Sequence, residues 1–414
     1  MKLKFLGGVQ EVGKSATLVE TDIKTLLEYG LKIRQTEESS RFPEPFGNFL
    51  DVLAVGHCHI DHSGFLPGVF DICSPTVLGT RPTKDLIELL LEDSMKLMEE
   101  IPYRLTSYKQ LMKNFVTLDY EKPYFSGKTS IKLLDAGHIT GSAMIDIRHE
   151  KKRLLYTSDF NTTDTMLHNG TSAPKTNDYS ALILESTYSE RDHPNRKQTE
   201  QEFYNKIKEV YEDNGHILVP AFAVDRAQEI INVIRKFDKH IPIYLDGMCN
   251  DATDIMFKHK NFLRDPKQFR KFMDSIERVY GFRQRKSVLN EPCVVVTTAG
   301  MLTGGPAMYY IPNLNKNSVI LFTGYCVEGT NGWTLQNKGT MMIDKKEVKI
   351  ETPYQYFDFS AHAGKKELIQ FAKDLNPEKI FCVHGEKCNE FADELTKEHG
   401  FKAVAPKLNE EFKV

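Results

Sequence analysis

The chain has 414 residues, 40% of them hydrophobic and 27% charged, with a formal net charge of −3. That length exceeds one ordinary core and points to two domains, in a balance typical of soluble globular proteins. The small negative charge excludes a surface coated in positive potential, so any nucleic-acid binding has to come from local patches. No apolar run approaches the roughly 18 residues of a membrane span, and Met1 to Leu6 is too short an apolar stretch for a signal peptide. The cysteine count is seven, an odd number, and no Cys-x-x-Cys pair occurs, so neither a disulfide framework nor a zinc knuckle is expected and the reading is a reducing cytoplasm.

In chain order, strand-like runs come first: Met1 to Leu6, Ser15 to Glu20, Thr25 to Tyr29 and Asp51 to Val55. A helical pattern follows Pro82 and runs to about Glu100, with the proline in the first turn where its missing N–H costs nothing. Further strands are expected at Thr129 to Leu134, Ala143 to Arg148, Arg153 to Thr157 and Ala181 to Leu184. Many short strands with few helices between them suit two packed sheets with helices outside. After about Ser189 the rhythm changes. Helical patterns at Gln198 to Asp213 and Val224 to Phe237 alternate with buried runs at Ile217 to Pro220, Ile241 to Leu245, Cys293 to Thr298 and Val319 to Thr323, a βαβ cadence. From about Glu351 come Phe357-Asp358-Phe359, a helix from Lys365, a strand Lys379 to Val383 and a last helix from Glu386.

The strongest local signal is His57-Cys58-His59-Ile60-Asp61-His62, directly after an apolar strand. Four ligand-type side chains within six residues on a strand-end loop can face two metals at once, and imidazole with carboxylate suits zinc. His138 in Asp135-Ala136-Gly137-His138, Asp159 in Tyr156-Thr157-Ser158-Asp159 and His384 in Cys382-Val383-His384-Gly385 occupy matching strand ends. Singly, each would more often be a hydrogen-bonded polar residue than a ligand; as a set they point to a metal site. Cys58 points away from the ligands and is expected to pack, and the other histidines (149, 168, 193, 216, 240, 259 and 399) are read as isolated or surface-like.

These motifs resemble the metallo-β-lactamase superfamily, whose fold is an αββα sandwich. By that resemblance His57, His59 and His138 would hold one zinc, Asp61, His62 and His384 a second, and Asp159 would bridge the two Zn2+ ions. Leu182-Ile183-Leu184-Glu185-Ser186-Thr187-Tyr188, Phe359-Ser360-Ala361-His362-Ala363 and Val383-His384-Gly385 resemble the three sequence motifs of the β-CASP nucleases. The segment between resembles the inserted α/β β-CASP domain. The expected organisation is thus a metallo-β-lactamase domain in residues 1–188 and 350–414, with a β-CASP domain at 189–349. The resemblance implies a ribonuclease, endonucleolytic with a possible additional 5′→3′ exonuclease mode, acting in RNA 3′-end formation, transcription termination or decay. Its nearest likeness is to archaeal homologues of the cleavage and polyadenylation specificity factor endonuclease. It differs from some of them in starting directly at the first β-lactamase strand, without KH domains. The family further implies single-stranded RNA as substrate, a homodimer, and transcription or RNA-processing partners. The alternative is a catalytically silent RNA-binding scaffold, but such relatives lose several ligands and all seven are kept here.

The implied catalytic set is His362, Glu185, Asp61 and Asp159. A 3′-oxygen leaving group needs a proton, which the His362 imidazolium could supply while Glu185 orients it, leaving a 3′-hydroxyl and a 5′-phosphate. Ser360 and the amides of Ala361 and Ala363, near a helix start, are expected to meet a phosphate oxygen, with Arg191 and Arg196 nearby. Residues 258–286 hold ten Lys or Arg against three acids, interleaved with Phe257, Phe262, Phe269, Phe272, Tyr280 and Phe282. That is either an RNA surface or two amphipathic helices with basic faces and core aromatics. One departure stands out: Leu26-Leu27-Glu28-Tyr29-Gly30 carries Glu28 where the family's first motif has aspartate, so the hydrogen bond that supports the zinc loop must be re-aimed or lost.

Overall fold

A computed structural model describes residues 1–32, 41–98, 100–176 and 178–414. The chain divides into two compact units. One comprises Met1–Asp164, Asn169–Asp192 and Ala361–Val414, the other Thr165–His168 and His193–Ser360.

The first unit is built on two seven-stranded sheets. One runs in the order Glu411–Lys413, Lys2–Gly7, Ala16–Glu20, Lys24–Leu27, Val52–Ala54, Thr76–Gly79 and Phe115–Thr117. The other runs Ala403–Val404, Ile380–Val383, Ala181–Glu185, Lys152–Tyr156, Ala143–His149, Thr129–Asp135 and Tyr124–Ser126. Strand side chains alternate between faces, and the sequence uses both. Ile131, Leu133, Ile145, Leu154 and Ile183 pack with Leu3, Phe5, Val19, Leu27 and Val52 from the facing sheet. Their neighbours Leu134, Met144, Leu155, Leu182 and Leu184 pack outward against Leu368, Phe371, Ala372 and Leu375 of helix Lys365–Leu375 and Phe391 and Leu395 of helix Cys388–Lys397. Helix Arg81–Leu97 lies by the other sheet, capped by Thr80, whose side chain accepts the Thr83 amide hydrogen bond. It stops at Leu97, short of the expected Glu100, and Glu99 lies outside the described residues.

The second unit has a six-stranded parallel sheet in the order Glu277–Val279, Ile243–Asp246, Val294–Thr297, Ile217–Pro220, Val319–Phe322 and Tyr354–Tyr356. The strands at positions 217–220, 294–297 and 319–322 are buried at every residue, the continuous apolar run expected of a parallel sheet covered on both faces. Ile217, Val219, Val294 and Val296 face the core that includes Ile230, Ile231 and Ile234 of helix Arg226–Phe237. Leu218, Val295, Ile320 and Phe322 face a second core with Leu302, Tyr310 and Leu335. Among the described residues no helix is long and apolar enough to cross a membrane.

Candidate active site

The motif loop leaves strand Val52–Ala54 and enters a single helical turn, Ile60–Ser63. Backbone bonds clamp this turn from three places: Ser15 N–H to Asp61 O (2.9 Å), Tyr29 N–H to His62 O (3.0 Å) and Leu31 N–H to Ile60 O (2.9 Å). Gly30 makes the approach possible, because a Cβ there would lie 1.7 Å from Asp61 O. The turn therefore presents Asp61 and His62 rigidly, while His57 and His59 come from the loop before it.

Around this turn the first unit gathers all seven sequence-predicted donors. The ligand atoms of His57, His59, His138 and Asp159 lie within 4.8 Å of one another, as do those of Asp61, His62 and His384. Asp159 touches both groups: its Oδ2 is 3.5 Å from His57 Nε2, 3.9 Å from His138 Nε2 and 3.2 Å from His62 Nε2, and its Oδ1 is 3.7 Å from His384 Nε2. His59 turns Nδ1 inward, 3.1 Å from His57 Nε2 and 3.4 Å from His138 Nε2. Asp61 Oδ2 is 3.7 Å from His62 Nε2 and 3.6 Å from His384 Nε2.

Four of the imidazoles are held from behind. His138 Nδ1–H donates to Ala361 O (2.7 Å), and His384 Nδ1 meets Ser15 Oγ (2.9 Å). His62 Nδ1–H donates to Glu28 Oε2 (2.5 Å). Ser158 Oγ–H donates to Glu28 Oε1 (2.7 Å), which leaves Ser158 Oγ to accept from His57 Nδ1 (3.2 Å). Tyr156 OH gives Glu28 Oε2 a further bond of 2.5 Å. These anchors turn Nε2 of His57, His62 and His138 toward the cluster, the arrangement that orients imidazole ligands. Glu28 thus keeps the supporting bond in re-aimed form, its longer side chain reaching from a backbone at φ 60°.

The charge state suits a cation. Burial and the neighbouring His62 push His57 well below its ordinary value, and burial and His362 do the same to His138. Burial opposes the charge on Asp159, yet His62, His384 and His362 hold its carboxyl well below the usual range. His62 is lifted in spite of burial, by Asp159 and Glu28, so a proton and a metal ion compete for that position. The donor set passes a direct test of fit. Among the described residues, His62 Nε2 and Asp159 Oδ1 are buried with no hydrogen-bond partner, an expensive condition for polar atoms unless they hold an ion.

Beside the cluster lies His362. Its Nδ1 is 3.0 Å from Glu185 Oε1 and its Nε2 4.0 Å from Asp159 Oδ2. Glu185 is fixed by the Phe160 amide (3.2 Å) and the Thr187 amide (3.3 Å). Burial disfavours charge on His362, but Glu185 and Asp159 outweigh it and lift the imidazole to about 9.

The expected phosphate contacts fare unevenly. The Ala363 amide is committed to Phe160 O (2.8 Å) and the Ser360 amide to Asp358 Oδ1 (3.0 Å), so neither N–H is aimed at a ligand. Ala361 supplies its carbonyl to His138. Arg196 is a structural residue of the second unit, bonded to Glu200 Oε1 (2.9 Å) and Glu229 and lying 4.7 Å over the Phe359 ring. Arg191 is exposed in the first unit, its guanidinium 4.7 Å over the Tyr188 ring, which is itself 5.8 Å from the His362 ring. Two histidines read as surface-like, His168 and His216, are buried instead, His168 against Asp225. The sequence reading missed Ser15 entirely. Nothing local marks it, since its partner His384 is 369 residues away.

Comparison with known proteins agrees with this architecture. The Beta-Casp domain family matches residues 227–335, and the family described as Zn-dependent metallo-hydrolase RNA specificity domain matches residues 347–406. The chain is 36% identical to the Probable RNase MJ4 of Methanocaldococcus jannaschii, over 100% of both proteins. It is 35% identical to RNase aCSPSF2 of Saccharolobus solfataricus, covering 99% of this chain and 85% of that protein. The chain belongs to the β-CASP family of the metallo-β-lactamase superfamily. It is also 33% identical to the transcription termination factor FttA of M. jannaschii, covering 96% of this chain and 69% of that protein. A crystal structure of a protein of unknown function from Enterococcus faecalis V583 shares the fold, with a TM-score of 0.64 at 12% identity, over 99% of each chain. As in the β-CASP family, the fold is a metallo-β-lactamase sandwich with an inserted β-CASP domain.

Proposed function

We propose that this β-CASP protein is a zinc-dependent ribonuclease that binds two zinc ions per chain and hydrolyses phosphodiester bonds within single-stranded RNA. The observation that carries the reading is the gathering of seven candidate donors, Asp159 among them, in two adjoining groups with the His362–Glu185 pair beside them. The whole-length relatives named as RNases support the substrate class. His57, His59 and His138 would hold one ion, Asp61, His62 and His384 the other, and Asp159 would be shared between them. When bound, such ions polarise a phosphoryl group and make water a competent nucleophile near neutral pH.

The chain's own residues then do the rest. His362 delivers the proton that the 3′-oxygen leaving group needs, from Nε2, the nitrogen turned toward Asp159. Glu185 positions it by holding Nδ1. Arg191, presented on Tyr188, supplies a phosphate contact; Arg196, tied to two carboxylates, does not.

The reading places the protein in RNA 3′-end processing, transcription termination or decay, as a homodimer in the cytoplasm. It is tested with a 5′-blocked, end-labelled single-stranded RNA and the parent, Asp159→Ala and His362→Ala proteins. Internal cutting by the parent and loss of it in both variants is the expected result. Cutting only of RNA with an accessible 5′ end would make the enzyme a 5′→3′ exonuclease. No cutting of either RNA by zinc-loaded parent would overturn the reading.

A further inference from the structure

Of the six aromatic residues interleaved with basic ones at positions 257–286, Phe262 is half-buried and the other five separate into two groups in the second unit. Phe269 and Phe272 are buried, and Phe257 lies partly buried with the Arg270 guanidinium 4.1 Å over its ring. Tyr280 and Phe282 are different: they are 64% and 56% exposed, on the turn between the edge strand Glu277–Val279 and helix Phe282–Val288. The turn pivots on Gly281 at φ 125°, with open space where a Cβ would stand. Phe282 leans edge-on against Tyr309 at 5.4 Å, so its outer surface is fixed in place and not merely loose.

The charge around these rings is one-sided. Residues 277–290 contain four cations and one acid. Arg278 is neutralised by Asp254 (2.6 Å) and Arg285 by Asp246 (2.6 Å), while Arg278 also reaches the Tyr280 hydroxyl (3.4 Å). Among the described residues Arg283 and Lys286 have no ion-pair partner, and Lys286 sits 4.8 Å over the Phe282 ring. Burial of these rings by a protein partner would desolvate two cations. A polyanion with unpaired bases instead satisfies both features at once, since aromatic rings stack on bases of any sequence and cations meet phosphates.

We propose that Tyr280 and Phe282, with Arg283 and Lys286, form an accessory platform for single-stranded RNA on the β-CASP domain. It acts by stacking and phosphate contact and so tolerates any sequence. The inference rests on the reading of the chain as a ribonuclease and deepens it: the platform raises affinity for RNA long enough to reach it and takes no part in bond cleavage.

The test uses the zinc-loaded full chain, oligo-U RNAs of increasing length and fluorescence anisotropy over a salt series. The variants are Tyr280→Ala/Phe282→Ala, its aromatic control Tyr280→Phe/Phe282→Tyr, and Arg283→Gln/Lys286→Gln. The alanine pair is expected to weaken binding of long single strands about 10-fold or more, the aromatic control to bind like the parent, and KM for long RNA to rise with kcat unchanged. The glutamine pair is expected to lower the slope of log affinity against log salt by about 1.4, two single-strand phosphate contacts. Long-strand affinity and salt slope equal to the parent in both variants would overturn the platform while leaving the ribonuclease intact. Loss of self-association with RNA affinity unchanged would also overturn it, assigning the surface to a second copy of the chain. A parent that neither binds nor cuts RNA would instead sink the reading on which the platform rests.

Discussion

Glu28→Asp writes the family's usual residue into the first motif, and on sequence grounds alone it should restore an ideal zinc site. The structure predicts the reverse. Glu28 is fully buried and its two oxygens bond His62 Nδ1 and Tyr156 OH at 2.5 Å and Ser158 Oγ at 2.7 Å. Removing one methylene withdraws the carboxylate by about 1.5 Å, so it cannot keep both the Tyr156 side and the Ser158–His57 side. Each buried polar group left unpaired costs about 1–3 kcal/mol. The opposing gain is that aspartate tolerates the left-handed backbone better than glutamate, worth at most about 1 kcal/mol. The loss wins, and it falls on the residues that aim His57 and His62. We therefore expect Glu28→Asp to weaken zinc binding about 10-fold or more, read by competition with a chromophoric chelator. Glu28→Gln keeps the reach and separates it from charge. Zinc affinity in Glu28→Asp equal to or above the parent's would refute the argument.

Three further outcomes follow from the same geometry. Asp159→Asn, which keeps shape but removes the charge shared by both donor groups, should lower bound zinc by at least one ion per chain and RNA cleavage by on the order of 100-fold or more, checked by elemental analysis and gel assay. Arg196→Ala should destabilise folding by about 1.5–3 kcal/mol, because it removes the charged partner of Glu200 and Glu229 at low exposure while Lys236 still holds Glu200 and the Met166 and Leu167 amides still hold Glu229, yet leave RNA affinity unchanged; a fall in affinity without a fall in urea midpoint would make it an RNA contact after all. The Asp22 carboxyl is held at about 2 by the Thr129 hydroxyl and the Lys128 amide, against an ordinary value of 3.8. A depressed acid stabilises the fold above its unfolded value and loses that contribution as pH falls from near 4 through about 2, so its carboxyl NMR titration should have a midpoint near 2, and a midpoint near 3.8 would refute the bonding.

How much of this was legible in the sequence depends on the range of the forces involved. The candidate donors could be singled out because each lies at or just past a strand end, a position that pattern alone locates. Four of the six strands of the second unit's sheet were legible for the same reason, since Ile217 to Pro220 or Val319 to Phe322 are apolar at nearly every residue; the edge strands Glu277–Val279 and Tyr354–Tyr356 were not. The three-residue strands Phe115–Thr117 and Glu411–Lys413 were not, because pairing to a neighbour holds them and no local preference announces that neighbour. Arg196 shows the same limit: its position after the first nuclease motif is visible in the sequence, but its pairing with Glu229, from another helix, is not. The basic aromatic stretch was ambiguous in sequence because exposure decides between a core and a stacking surface, and periodicity does not report exposure for a turn such as Tyr280 to Phe282.

The site also shows where the fold concentrates its unfavourable backbone. Glu28, Ser158 and His384 all have positive φ, at 60°, 49° and 53°. Each lies one or two residues past the end of a strand: Lys24–Leu27, Lys152–Tyr156 and Ile380–Val383. One of them is a donor, one precedes a donor in sequence, and one carries the bonds that aim two others. Left-handed conformations at residues with a side chain cost about 1–3 kcal/mol each. The strands behind them, one in the first sheet and two in the second, are locked by fully buried residues such as Leu27, Leu155 and Phe381. The left-handed residue turns the chain sharply, so that a side chain which would otherwise continue along the sheet points across its edge into the cluster. Binding of a cation by the folded chain alone offsets that cost. The same feature helps gather candidate donors from 328 residues of sequence, His57 to His384, into two groups whose ligand atoms lie within 4.8 Å of one another.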